Sequence, residues 1–249
     1  MQYQIQGDKY KDAMETYHRA VPHIPEGDNS LKLLYASAAQ LDKQYDTVVN
    51  VYTDMMRDLV PTINPRDSLD MTRFHALNMQ GLSYISACFS GIGDAYQGAG
   101  DTIAAFDAYE KAIVLDDNNS LALNNYAYYL SQVPGADLEK AKSMSERSLK
   151  DNPDNTTFLD TYAWILFMLR QYKEALDVQQ KVVDSAEAND ENDPAVYSHF
   201  GDILFMNGRP EDALKYWKKA LEADKLHTLT EKELRLLRKK IEHKTFFYE

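Results

Sequence analysis

Apolar residues between positions 155 and 182 recur at spacings of three and four, which is the period of a buried stripe along an α-helix. Two stripes follow one another, the first formed by Leu159, Tyr162, Ala163 and Leu166 and the second by Ala175, Leu176, Val178, Val182 and Val183. The sequence Arg-Gln-Tyr at 170–172 separates them, so the pattern predicts two helices joined by a short turn. Neither helix can bury its stripe alone, so the pair requires similar pairs beside it.

The same pattern recurs at regular intervals along the chain. Small residues at Gly93, Ala127, Ala163 and Gly201 are separated by 34, 36 and 38 positions. A large apolar residue stands four positions before each of them, and each partner helix begins with an alanine: Phe89, Leu123, Leu159 and Tyr197, and then Ala105, Ala141, Ala175 and Ala213. A period near 34 with small residues where two helices cross predicts an array of helix-pair repeats.

Two stretches carry the repeat most clearly, GDAYQGAGDTIAAFDAYEKAI at 93–113 and GDILFMNGRPEDALKYWKKAL at 201–221, and in them the chain resembles the tetratricopeptide repeat family. The blocks NNYAYYL, DNPDN and DTYAWILF are similar to those of multi-repeat bacterial proteins of this family. The resemblance covers four full repeats, about residues 86–225. It implies an all-α fold, a right-handed α-α superhelix (a solenoid) of antiparallel helix pairs, but it implies no particular function.

The chain is predicted to be a single solenoid over 1–249. Its segments are a partial repeat at 1–29, a degenerate repeat at 30–67, a repeat with an elongated first helix at 68–119, repeats at 120–154, 155–193 and 194–227, and a capping helix with a tail at 228–249. Prolines at 61 and 65 predict a loop before the elongated helix. That helix is predicted to run from 68 to 97, with Asp67 or Ser68 as its cap.

The N-terminal segment matches only the later part of a repeat, because Ala13, Tyr17 and Ala20 have the spacing of Ala105, Tyr109 and Ala112. The first helix of this unit would begin upstream of Met1. Either that helix is stunted or the chain was cut from a longer array, and the second alternative is the prediction because no polar cap of a terminal repeat is visible. A targeting signal could lie in that upstream part. The expected location is accordingly either the cytoplasm or the cell envelope.

The C-terminal helix carries its own start signal. Thr230 and Glu233 have the spacing of a capping box, and Leu229 and Leu234 are placed to form the hydrophobic staple around it. Leu234, Leu237 and Ile241 share one face of the helix, whereas the basic residues Lys232, Arg235, Arg238, Lys239 and Lys240 are expected mainly on the faces turned to solvent. This pattern predicts a solvating cap on the last repeat. The alternative is a basic cluster that docks on an acidic partner or a membrane surface, but lysine and arginine are ordinary near the C-terminus of a helix.

Composition and charge exclude several classes of function. The net charge of −12 disfavours general binding to nucleic-acid phosphates, and the polar residues in the longest uncharged run, 74–93, argue against a transmembrane segment. The lone Cys88 lies in a helical apolar pattern typical of an inert core thiol. The acidic connections at 116–120, 151–155 and 189–194 lack the glycine and glutamate of a calcium loop.

No catalytic, cofactor-binding or metal-binding pattern is present in the sequence. The six histidines are scattered, and the glycines at 91–100 have neither the lysine nor the strand context of a phosphate loop. The predicted function is therefore a non-enzymatic scaffold that binds a partner protein or peptide. The alternative is a non-catalytic recruiting or oligomerising arm of a larger enzyme or signalling protein.

The resemblance implies a concave surface formed by the first helix of each pair, where family members receive peptides. The residues predicted to bind a partner there are Asn124, Tyr128, Asp160, Trp164, Phe167, Ser198, Asp202 and Phe205. Asn124 has no basic residue beside it, which disfavours a C-terminal carboxylate as ligand. The aromatic and acidic residues instead predict an apolar or aromatic segment with lysine or arginine nearby. Alternatively, tight packing between repeats buries these rings.

Overall fold

A computed structural model describes residues 1–23, 25, 28–189, 191–224 and 229–247. The α-helices among these residues are α1 Gln2–Gln6, α2 Tyr10–Ala20, α3 Ser30–Leu41, α4 Tyr45–Arg57, α5 Met79–Gly98, α6 Thr102–Leu115, α7 Ser120–Ser131, α8 Leu138–Ser148, α9 Thr156–Met168, α10 Tyr172–Ala188, α11 Pro194–Met206, α12 Pro210–Ala223 and α13 Glu231–His243. The described residues contain no strand. The predicted all-α fold of antiparallel helix pairs is confirmed.

The chain forms two compact units, Met1–Asn125 and Tyr126–Glu249. Within each unit a helix packs mainly against its neighbours in the chain, as in the pairs α5 with α6 and α11 with α12. The division of the chain into repeats remains a prediction. The second unit holds all but one of the predicted partner-binding residues.

Small residues lie where the two helices of a pair cross, as the sequence predicts. A Cβ added to Gly93 would come closer than 3.0 Å to the ring of Tyr109 on α6, and one added to Gly201 would meet the ring of Trp217 on α12. Both rings are fully buried. The glycines therefore allow a large aromatic ring to lie directly on the backbone of the first helix.

The predicted helix from 68 to 97 is wrong in its first part, because α5 begins at Met79. Asn78 caps it, since its side-chain oxygen accepts a hydrogen bond from the Gly81 amide at 2.9 Å. The preceding residues form a loop with a 3-10 turn, Met71–Phe74. With 20 residues, α5 is still longer than the 13-residue helices α9 and α11.

Contacts that are distant in sequence hold this loop against the first unit. The Lys111 ammonium on α6 is buried and donates a hydrogen bond of 2.7 Å to the backbone oxygen of Pro65. Phe74 is buried in the 3-10 turn, and the Arg66 guanidinium lies 4.7 Å from the ring centroid of Tyr96. Pro65 and Arg66 lie before the predicted start at residue 68, so it is the burial of Phe74 in the 3-10 turn that takes the place of the predicted helical turns.

The single cysteine is part of the core of the first unit. Cys88 lies on α5, where its side chain is buried. Burial raises the pKa of its thiol to about 12, with a smaller contribution from the negative charge of Asp58. The thiol is therefore neutral and unreactive in the folded state, as its position in the apolar pattern predicts.

Candidate partner-binding surface

The predicted partner-binding residues lie on the first helices of three successive pairs. Asn124 and Tyr128 lie on α7, Asp160, Trp164 and Phe167 on α9, and Ser198, Asp202 and Phe205 on α11. Capping side chains fix where α9 and α11 begin: Asn155 accepts from the Phe158 amide at 3.1 Å and Asp193 from the Ala195 amide at 2.8 Å. These local bonds fix the first turn of each helix, and the apolar stripe then determines which face packs against the neighbouring helices.

A cavity of about 300 Å³ brings part of the predicted set together in the second unit. Four of the predicted residues line it, Tyr128, Trp164, Ser198 and Asp202, and residues of the C-terminal end complete the wall, among them Lys240 and Phe246. Asp160, Phe167 and Phe205 are not part of that wall. Asn124 belongs to the first unit, where it is 3% exposed and donates a hydrogen bond to Asn125.

The aromatic side chains form a stack that is partly closed. Trp164 lies between Phe167 and His199, with ring centroids 5.0 and 4.3 Å away. Phe167 is only 5% exposed and also meets the edge of Phe246 at 5.6 Å. Phe205 stacks on Trp217. Phe167 is thus buried in the packing. Phe205 is half-buried but does not line the cavity, whereas half-buried Trp164 and Tyr128 do.

Asp160 is bound on both carboxylate oxygens. One accepts a hydrogen bond from the Gln179 amide, and the other lies 2.9 Å from Nδ1 of His199; the Asp160 and His199 side chains are each 13% exposed. Burial alone would lower the pKa of His199, but the neighbouring Asp160 carboxylate outweighs it and the pKa is raised above its ordinary value. The Asp160 carboxylate therefore stabilises the protonated form of His199 relative to a histidine in water.

Asp202 forms a buried ion pair with the C-terminal helix. The Lys240 ammonium donates to both carboxylate oxygens at 2.7 and 2.6 Å, and the Trp217 indole donates to one of them at 2.8 Å. Asp202 is 2% exposed and Lys240 3%. Burial raises the pKa of Asp202, and the positive charge of Lys240 opposes that rise.

The expected position of Lys240 among the solvated basic residues is wrong. Lys240 follows buried Leu237 by three positions and precedes half-buried Ile241 by one, so it lies on the packed face of α13. That spacing was the signal in the sequence that could have identified it. Phe246 and His199 were also missed, because neither belongs to a periodic pattern and their contacts lie on other helices.

The architecture and these crossing points agree with one family. A family model described as Tetratricopeptide repeat matches residues 71–226, well over half of the chain. This chain belongs to the tetratricopeptide repeat family. No curated protein matches it in sequence.

Solved structures of other tetratricopeptide repeat proteins share this fold. One from Parabacteroides merdae ATCC 43184 has 16% identity and a TM-score of 0.58, over 96% of this chain and 82% of the other. TTC0263, a thermophilic tetratricopeptide repeat protein in Thermus thermophilus, has 16% identity and a TM-score of 0.54, over 86% and 96%. MamA of AMB-1 has 17% identity and a TM-score of 0.51, over 76% and 94%. At such identities the similarity shows the fold alone.

Two searches of the described residues gave negative findings. No three side chains of histidine, cysteine, aspartate or glutamate among them are grouped so that they could hold a metal ion. None of the described helices combines the length and the apolar composition that a membrane span requires.

Proposed function

We propose that this tetratricopeptide repeat protein is a non-enzymatic scaffold that binds a partner protein or peptide through the first helices of its second unit. The family commonly mediates protein–protein interaction. The observation that carries the proposal is the cavity of about 300 Å³, where Tyr128 and Trp164 present half-buried rings next to charged side chains of both signs. Rings that are held in place and partly exposed supply contact area at a small cost in side-chain entropy.

The preferred partner is a segment with apolar or aromatic side chains and a lysine or arginine nearby. The chain as a whole carries −12, which favours basic partners at long range. Asp160 and Asp202 are paired with His199 and Lys240, so they add selectivity only for a ligand whose own cation replaces the paired one. Complementary charge chiefly sets the rate of encounter and the selectivity, whereas the rings set the affinity.

A library of displayed peptides selected against the full chain tests the proposal. The selected peptides should be rich in aromatic and basic residues, and Trp164→Ala should weaken their binding by about 1–2 kcal/mol or more. Tyr162→Ala is the matched control, because Tyr162 is a half-buried ring on the same helix that bonds to Glu146 and does not line the cavity.

Melting curves of both variants separate a binding defect from a folding defect. If Trp164→Ala lowered the melting temperature while leaving the affinity unchanged, the ring would belong to the core and the proposed surface would be refuted. Selected peptides without basic residues would refute the assigned partner class.

A further inference from the structure

The C-terminal segment, defined here as residues 229–247, lies on the proposed binding surface. Its helix α13 packs beside α12, and its residues Thr230, Lys232, Leu236, Lys240 and Phe246 form one wall of the cavity. The same cavity is lined by Trp164 and Asp202, which the sequence assigned to partner binding. The surface therefore already holds a helical segment of the chain itself.

We propose that the C-terminal segment is an intramolecular ligand of this surface, and that a partner displaces it with a segment carrying a lysine or arginine and an aromatic residue about six positions later. The inference rests on the proposed function, because it names the partner chemistry and the regulation of the same surface. The spacing is that of Lys240 and Phe246.

The basic position of the ligand follows from the contacts of Asp202. Its carboxylate is buried, and Lys240 is the cation that binds both of its oxygens. A buried charge that loses its partner is strongly destabilised, so the segment cannot leave unless another cation takes its place or water reaches the site. His199 and Asp160 lie next to this position and bind each other, so they leave Asp202 as the acid that selects a ligand cation.

The aromatic position of the ligand follows from the contacts of Phe246. Lys244 adopts the left-handed conformation with φ 51° and ends α13, and the chain then places Phe246 against the edge of Phe167. The Lys240 ammonium lies 5.2 Å from the centroid of the Phe246 ring. The Lys240 ammonium and the Phe246 ring thus lie together, with Lys240 bound to α11 and Phe246 packed on α9. A ligand that carries the same pair of groups can occupy both of these positions.

The segment fits the surface incompletely, which allows its replacement. Within α13 only Leu237 and Lys240 are buried, while most of its charged residues are exposed. The cavity of about 300 Å³ remains between the segment and the helices beneath it. A ligand with larger side chains facing Trp164 would fill that volume and gain contacts that the chain's own segment does not make.

The test uses the full chain and a fluorescent synthetic peptide with the sequence of residues 229–247. Leu237→Ala weakens the hold of the chain's own segment, so the variant should bind the peptide at least about tenfold more tightly than the unchanged chain does. Leu214→Ala is the control, because Leu214 packs against the same core from α12 and does not line the cavity. The control should bind the peptide as the unchanged chain does.

Changed peptides and a second chain variant locate the contact. Peptides with Lys240→Glu or Phe246→Ala should bind the Leu237→Ala chain at least about tenfold more weakly. Adding Asp202→Asn to that chain should remove the preference for the lysine peptide over the Lys240→Glu peptide. Equal affinity of the unchanged chain and the Leu237→Ala chain, or a lower melting temperature without any binding of the peptide, would overturn the inference.

Competition separates this inference from the proposed function. Peptides selected from the displayed library should be displaced by the 229–247 peptide and should bind the Leu237→Ala chain more tightly than the unchanged one. Selected peptides that depend on Trp164 but show neither effect would overturn the inference and leave the proposed function standing. Selected peptides that ignore Trp164, with the 229–247 peptide binding as expected, would overturn the proposed partner surface instead.

Discussion

Glycine at the crossing point sets how closely two helices approach in at least two pairs. Tyr109 and Trp217 lie so near the backbone of α5 and α11 that a methyl group at Gly93 or Gly201 would overlap them. Each ring also donates a hydrogen bond to the aspartate that directly follows the glycine in sequence. The Tyr109 hydroxyl donates to Asp94, and the Trp217 indole donates to Asp202. The glycine, the ring and the acid therefore act together, and a change in any one affects the other two.

Gly201→Ala should lower the free energy of unfolding by about 1–3 kcal/mol, because the added methyl group forces Trp217 out of its position. Urea denaturation followed by circular dichroism measures the change. Gly81→Ala is the control: a Cβ there would lie 3.3 Å from the Leu77 Cβ and 3.5 Å from the Asn78 side-chain oxygen, both farther than the Trp217 ring would be from a Cβ at Gly201. That control should be neutral or slightly stabilising, since alanine favours helix. Equal losses in the two variants would contradict the packing described for Trp217.

The Asp160–His199 pair predicts a titration that nuclear magnetic resonance can follow. The pKa of His199 should lie above the ordinary value of about 6.5, and Asp160→Asn should lower it, since burial then acts without the carboxylate. An unchanged pKa in Asp160→Asn would mean that another group holds the proton on His199.

The same pair makes stability depend on pH in a defined direction. A pKa that is raised on folding stabilises the folded state below the unfolded value, and this contribution is lost as pH rises through the folded value. The difference in unfolding free energy between the unchanged chain and Asp160→Asn should therefore shrink over that interval, from about pH 6.5 upward. A difference that grew with pH would contradict the assigned direction.

At the scale of the helix, α13 shows how a local signal fixes an element. The capping box is confirmed: Glu233 donates its amide to the Thr230 hydroxyl at 3.3 Å, and its carboxylate accepts the Thr230 amide at 2.7 Å. Leu229 and Leu234 both pack into the core of the last helix pair, as the predicted staple requires. All these residues lie within six positions of one another, so the sequence alone was sufficient.

Thr230→Ala should destabilise the chain by about 1 kcal/mol, because the first turn of α13 loses one partner for its free amides. Thr157→Ala is a suitable control, since Thr157 is an exposed residue in the first turn of α9 and the cap of that helix is Asn155. Thermal melts of the two variants provide the comparison. A loss of stability confined to Thr157→Ala would show that the cap is unimportant.

Elements fixed by distant contacts could not be predicted in the same way. Asp67, Ser68 and Asn78 are all capping residue types, and the local pattern cannot choose among them. The burial of Phe74 in the 3-10 turn accompanies the later start of α5, and it depends on contacts that the local pattern does not contain. Lys240 is a partly similar case: its spacing from Leu237 indicates the packed face of α13, but nothing near it in the sequence identifies Asp202 as its partner. Periodicity predicted the pairs and their crossing points, but it carries no information about such long-range polar contacts.

At the scale of the whole molecule, the family architecture limits how far a change can propagate. Helices contact mainly their neighbours in the chain, so stability is close to a sum of local terms. Leu204→Ala removes a fully buried side chain from α11 and should cost about 2–5 kcal/mol locally.

Hydrogen exchange should show that loss in a restricted part of the chain. Amides of α11, α12 and α13 should exchange faster in Leu204→Ala, whereas those of α3 and α4 should keep their protection. An increase of equal size in all helices would mean that the chain unfolds as a single cooperative body, and the local account of its stability would then be wrong.

The buried thiol of Cys88 gives this protein a built-in reporter for the opening of α5. Because it is the only cysteine in the chain, any thiol reagent that reacts with the protein marks one known position. Its high pKa and burial make reaction depend on transient exposure, so the labelling rate measures how often the surrounding helices separate. Variants and bound ligands can therefore be compared in the first unit without introducing a foreign label.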